Sequence, residues 1–310
     1  MPLAKGVNKR SRTLAVACGI ANGFVSIRLP RNSERKTATI AGTDTRPKLA
    51  ASSYLNTAPL IWSFQHGKQR PAVELVTDAA PARCADLLAR GAVAAALVPI
   101  IEFQRIRDVQ VVPGVCVGSH SAVRSVVLVS KYDDLKKVRK VALDVSSRTS
   151  QALVKIIFLE FVGAPAEWET SVPDVDAMLE YNDAALVIGD PAMRISRRDV
   201  HVFDLAGLWH RFTSTGFVFA MWMAVANTAK AIVDVDFAAA RDEGLEQIED
   251  IISDYEHVVP LQRDEIRKYL TENITFHVDE KLEKGMKLYF ELALKHGLIA
   301  ENRPLQFIMS

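Results

Sequence analysis

Residues 48–78, KLAASSYLNTAPLIWSFQHGKQRPAVELVTD, decide the fold. An apolar run of strand length at 48–53 breaks into the polar turn Tyr54-Leu55-Asn56-Thr57-Ala58-Pro59. A helix is expected near 60–67, and a second short apolar run at 73–77. Strand, helix and strand at this spacing make a crossover unit whose strands lie parallel, with the helix packed on the sheet.

The pattern repeats outward. Pro81 and Gly91 bracket the next helix, which Asp78 is placed to cap, and 94–98 reads as a third buried strand. Further strands are expected at 111–118, 125–130 and 141–144, then a helix over 150–162 closed by Gly163. Strands at 184–188 and 217–224 follow. From Ala226 the signal is helical: 233–255, a break at Pro260, a helix from Gln262, and a last one over 279–296 ended by Gly297. This predicts an α/β chain with the layout of a two-lobe type II periplasmic-binding-protein fold and a helical C-terminal region. One lobe is expected from 47–134 plus 218–310 and the other from 135–217. Fold alone assigns no function.

The 310 residues, 49% hydrophobic and 24% charged, suit a soluble globular protein. No apolar run reaches the roughly 18 residues of a membrane span, so no membrane partner is expected. Residues 1–46 carry nine Lys or Arg against Glu34 and Asp44. The rest of a chain of net charge +1 is therefore at −6, and a mildly acidic fold is not a nucleic-acid surface. The segment 1–46 reads as a leader outside the fold, either disordered or the product of a start placed too far upstream. Its apolar run before Cys18 is too short for an export signal. Cys18, Cys84 and Cys116 are widely separated, which fits reduced thiols and a cytoplasmic location.

Ligands of parallel α/β sheets lie beyond the carboxyl ends of the strands, so polar residues there are the candidates. After the first strand these are Ser53, Tyr54, Asn56 and Thr57. They read first as a helix cap, and alternatively as groups for a substrate hydroxyl or carboxylate. The stronger signal is Asp144-Val145-Ser146-Ser147-Arg148-Thr149-Ser150, a strand end entering a helix through hydroxyls and one Arg. Free N–H groups and the positive helix end suit an anion there, and the Arg148 fork could grip a carboxylate; simple capping is the alternative. Asp190 closes the strand at 184–188, and Ser125 lies near the expected hinge. The seven histidines have no metal-ligand spacing. There is no G-x-G-x-x-G or P-loop after a strand and no G-x-S-x-G elbow, so no metal, nucleotide cofactor or serine-hydrolase chemistry is expected.

Taken together, 53–60, 96–99, 123–126, 142–150, 185–190 and 217–222 resemble the chorismate dehydratases of the futalosine menaquinone pathway, over about 48–310. The resemblance implies cofactor-free dehydration of chorismate to 3-[(1-carboxyvinyl)oxy]benzoate. It also implies Asn56 and Ser125 as catalytic residues, with Ser146, Ser147, Arg148, Thr149 and Ser150 around a substrate carboxylate; Thr57 and Asp190 are expected beside the substrate from their places at strand ends. The sequence departs from that pattern at Ala94, where an acid is expected, and at Ile100, where a serine is. Two other readings remain: a solute-binding protein for a small carboxylate, and the sibling dihydroxynaphthoate synthase. The latter relies on a cleft histidine, and none occurs between His120 and His201.

Overall fold

The computed structural model describes residues 46–195 and 199–308. The expectations for the leader 1–46 and for Cys18 lie outside the described residues, except for Arg46. Strands β1 (Lys48–Ser52), β2 (Glu74–Asp78), β3 (Ala95–Pro99) and β4 (Val109–Ser119) begin the first sheet. The second sheet holds β5 (Val126–Ser130), β6 (Lys140–Asp144), β7 (Glu167–Ser171), β8 (Ala184–Ile188) and β9 (His201–Asp204). The chain then returns through β10 (Phe217–Val225) and β11 (Thr275–His277).

The first sheet has the order β11-β4-β10-β3-β1-β2 and the second β7-β6-β8-β5-β9. Within the first, β1 runs parallel to both β2 and β3, whereas β10 enters antiparallel between β3 and β4. Within the second, β6 is parallel to β7 and β8, and β5 is antiparallel to β8 and β9. Strands β3, β5 and β8 are buried along their whole length, as expected of inner strands covered on both faces.

These pairings place the two crossings. Because β5 belongs to the second sheet, the first crossing falls between Ser119 and Val126, ahead of the boundary at 134 drawn from sequence. That boundary followed the charged stretch after Ser130, which is an ordinary loop before β6. The return lies between Thr213, where the last helix of the second lobe ends, and Phe217, the first residue of β10.

The helices follow from local chemistry. Helix α1 (Ala58–Gln65) carries Pro59 in its first turn, and α2 (Pro81–Ala89) starts on a proline. Asp78 does not cap α2. Its carboxylate accepts the Ala80 N–H at 2.9 Å, and Ala80 takes the N-cap position without a side-chain bond. After the short α3 (Glu102–Arg105), α4 (Arg148–Ile156) is capped by Ser147 and runs into a π-helical turn, Ile157–Val162. Gly163 ends it in the left-handed conformation at φ 67°.

Short helices α5 (Val175–Tyr181) and α6 (Leu205–Thr213) complete the second lobe. The stretch 233–255, expected as one helix, breaks at Gln247 into α7 (Phe237–Glu246) and α8 (Ile248–Tyr255). Gly244 of α7 lies so close to the Pro59 carbonyl that a Cβ would overlap it. Thus α7 rests on α1, and the break lets α8 turn Ile251 and Ile252 inward. Helices α9 (Arg263–Lys268) and α10 (Glu280–Lys295) follow, and α10 packs on both β10 and α4.

Candidate functional site

The carboxyl ends of β1, β3, β6 and β8 converge on one small cavity between the two sheets. Its wall includes Asn56, Thr57, Ser147, Thr149 and Ser150, with Tyr54 beside them. Five of the expected site residues therefore share one hollow. Ser125, Ser146, Arg148 and Asp190 stand outside its lining.

On the first lobe, β1 ends in a 3-10 turn, Leu55–Thr57, that carries Asn56. The Thr57 hydroxyl lies 2.8 Å from that of Ser52, and Thr57 donates to Asn56 Oδ1 over 3.2 Å. One end of the amide is thereby held, while its NH2 keeps its donors. Burial raises the pKa of the Tyr54 hydroxyl, an effect opposed by its contact with Ser146.

On the second lobe, Asp144 at the end of β6 is fully buried. It accepts the Ser146 N–H at 2.8 Å, the Ser146 hydroxyl at 2.5 Å and the Ile188 N–H at 3.2 Å. Burial raises its pKa, against these bonds. Ser146 is thus tied back to Asp144. Ser147 accepts the Ser150 N–H at 3.3 Å as the cap of α4, which turns the start of that helix toward the hollow.

Arg148 departs from expectation. Its guanidinium is already spanned by two carboxylates of the first lobe, Asp86 at 2.6 Å and Glu102 at 3.0 Å. The Glu102 side chain is only 3% exposed. A buried carboxylate needs a cation, so the fork is committed to protein. Asp190 departs likewise. Oδ1 accepts the Leu55 N–H at 3.0 Å across the lobes, and burial pushes its pKa up to about 6.

Other bonds close the same seam. Ala82 N–H reaches the Ser146 carbonyl at 3.2 Å, Ile101 N–H the Thr149 hydroxyl at 3.3 Å, and the Tyr289 hydroxyl the Thr149 carbonyl at 3.0 Å. The lobes are closed, and the hollow between them is about 50 Å³, room for a water or two rather than a substrate.

Ser125 sits at the first crossing, fully buried. Its N–H bonds the Val123 carbonyl at 2.8 Å around Arg124, whose φ is 64°, and its carbonyl accepts the Gly189 N–H at 2.7 Å. Asp204, the cap of α6, holds the crossing by accepting the N–H groups of Val123 and Arg124 at 3.1 and 2.7 Å. The Ser125 hydroxyl accepts from Tyr269. Ile100, where a serine was expected, is buried with its N–H on the Phe219 carbonyl.

Sequence reasoning passed over Ser52, Asp86, Glu102 and Tyr269. Ser52 closes a strand and carried a readable signal. The others are distant in sequence and carried none. Among the described residues, no helix is long and apolar enough to cross a membrane.

Comparison with known proteins agrees with this architecture. The alkanesulfonate-binding protein SsuA of Xanthomonas axonopodis superposes with a TM-score of 0.60 at 13% identity, over 84% of this chain and 96% of that one. The periplasmic aliphatic sulphonate binding protein SsuA of Escherichia coli gives 0.57 at 17% identity, over 86% and 95%. At such identities the likeness is one of fold, and the fold is that of the periplasmic binding proteins.

Sequence relatives are more specific. A chorismate dehydratase of Thermus thermophilus is 28% identical over 263 residues, 78% of this chain and 93% of the relative. Residues 47–295 match the family described as menaquinone biosynthesis, and the chain belongs to that family.

Proposed function

We propose that this protein dehydrates chorismate to 3-[(1-carboxyvinyl)oxy]benzoate, without a cofactor, in the cytoplasm, as a step of the futalosine route to menaquinone. The observation that carries the reading is the meeting of Asn56 with the capped start of α4 in one interlobe hollow. It is joined by membership of the family and by the name of the Thermus relative.

A ring hydrogen and the ring hydroxyl leave together as water, and the new double bond completes the aromatic ring, which drives the reaction. The protein's task is to hold a dianion in one pose and keep bulk water away. The free N–H groups at the start of α4, with Ser147, Thr149 and Ser150, suit one carboxylate. The Asn56 amide suits the leaving hydroxyl, to which it can donate. Ser125 is assigned with it, and reaches substrate only when the hinge rearranges, because Tyr269 holds its hydroxyl in the closed form. A hollow of about 50 Å³ falls well below the roughly 300 Å³ of small ligand pockets, so the lobes part to admit the substrate and then close over it in a wider hollow, with the Leu55–Asp190 contact remade.

The test is incubation of the purified protein with chorismate alone, followed by mass spectrometry for a product lighter by one water. Asn56→Ala is expected to lower kcat about 100-fold. Chorismate binding without turnover would replace the reading with that of a solute-binding protein.

A further inference from the structure

We propose that Asp190 is a positioning residue for Asn56: carried by the second lobe, it caps the turn that bears Asn56 on the first, so that closing the lobes fixes the amide. The inference rests on the reading of Asn56 as catalytic and gives closure a chemical consequence.

The turn Leu55–Thr57 has no cap of its own. Tyr54 stands at the N-cap position and its side chain makes no cap bond, and the Leu55 N–H is buried. Such a donor must find an acceptor or water. Here the acceptor is Asp190 Oδ1, at 3.0 Å and 135 residues away.

Two further features bring the carboxylate within reach. Gly189 has φ 66° and ψ −149°, a region essentially closed to other residues. A Cβ on Gly189 would lie 2.5 to 2.8 Å from three atoms of the Tyr54 ring, so the bare glycine lets the lobes meet there. Asp190 does not line the hollow, and its oxygen is spent on the turn. In an open form the Leu55 N–H would pass to water. Asn56, the next residue, would then keep only the restraint relayed through Thr57 and Ser52. The residue acts through Asn56 and not on the substrate.

The experiment compares wild type, Asp190→Ala and Asp190→Asn by amide hydrogen exchange at Leu55 and by kcat and KM for chorismate. The amide oxygen of the Asn variant can still accept the Leu55 N–H. In Asp190→Ala, Leu55 exchange is expected to rise at least about tenfold, and kcat to fall at least about tenfold with KM changed less than about threefold. Asp190→Asn is expected to stay within about threefold of wild type in each quantity. Should the Ala variant fail to fold, Asp190→Ser, whose side chain is too short to reach, takes its place. Unchanged Leu55 exchange, or unchanged kcat with the amide released, overturns the proposal. A wild-type protein inert toward chorismate would remove the dehydratase reading, while the exchange comparison would still decide whether Asp190 holds the turn.

Discussion

The hydroxyl of Tyr269 donates to Ser125 Oγ over 2.7 Å, across 144 residues of sequence, with both side chains fully enclosed. Tyr269 is the first residue of a π-helical turn that continues α9, and burial drives its phenol pKa far above the ordinary value. It is therefore a permanent donor. Ser125→Ala strands that donor, and a loss of about 1–3 kcal/mol is expected in urea denaturation. Adding Tyr269→Phe should recover part of the loss. Strictly additive losses would mean that the two hydroxyls do not depend on each other.

Arg148 joins the lobes through Asp86 and Glu102, and removing it leaves Glu102 buried with Arg105 alone, at 3.2 Å. Arg148→Ala is expected to cost about 2 kcal/mol, below the usual figure for breaking a buried pair because Arg105 remains. The radius of gyration from small-angle scattering should rise as the seam loosens. Arg148→Lys should not restore it, since one ammonium cannot span both acids as the fork does. A compact Arg148→Ala protein that has lost only chorismate affinity would favour a direct grip on the substrate.

The buried Asp190 carboxyl titrates at about 6, above its ordinary value near 3.9. A raised acid pKa means that folding binds a proton between those limits. The stabilisation is complete below about pH 4 and disappears as pH rises through about 6, a span of roughly 3 kcal/mol. Asp144 and Asp204 are shifted in the same direction, so the informative quantity is wild type minus Asp190→Asn. That difference should fall between pH 4 and 7 and stay flat above. A flat difference throughout would place Asp190 in water.

Gly189 meets the Tyr54 ring at φ 66°. Gly189→Ala adds a backbone penalty of about 1–3 kcal/mol and an overlap with the ring. The overlap should hold the lobes apart, visible as a larger radius of gyration. Combining it with Tyr54→Ala should restore closure and leave the backbone penalty. Wild-type scattering from Gly189→Ala would show that the ring yields freely.

The repeating strand and helix pattern, the inner strands β3, β5 and β8, and the stop at Gly163 of the helical stretch that α4 begins were legible because each depends on neighbours along the chain. So was the gathering of Asn56, Thr57 and the hydroxyls at the start of α4 at one hollow, since polar turns after buried strands lie together beyond the carboxyl ends of a parallel sheet. β7 was not legible, because Glu167–Ser171 is half exposed and lacks an apolar run. The partners of Arg148, Asp190 and Ser125 were decided only by tertiary structure. An arginine after a strand looks the same whether it waits for a ligand carboxylate or already lies between Asp86 and Glu102, 62 and 46 residues away. Local pattern determines which backbone groups need partners, whereas the docking of the lobes determines which distant side chains supply them.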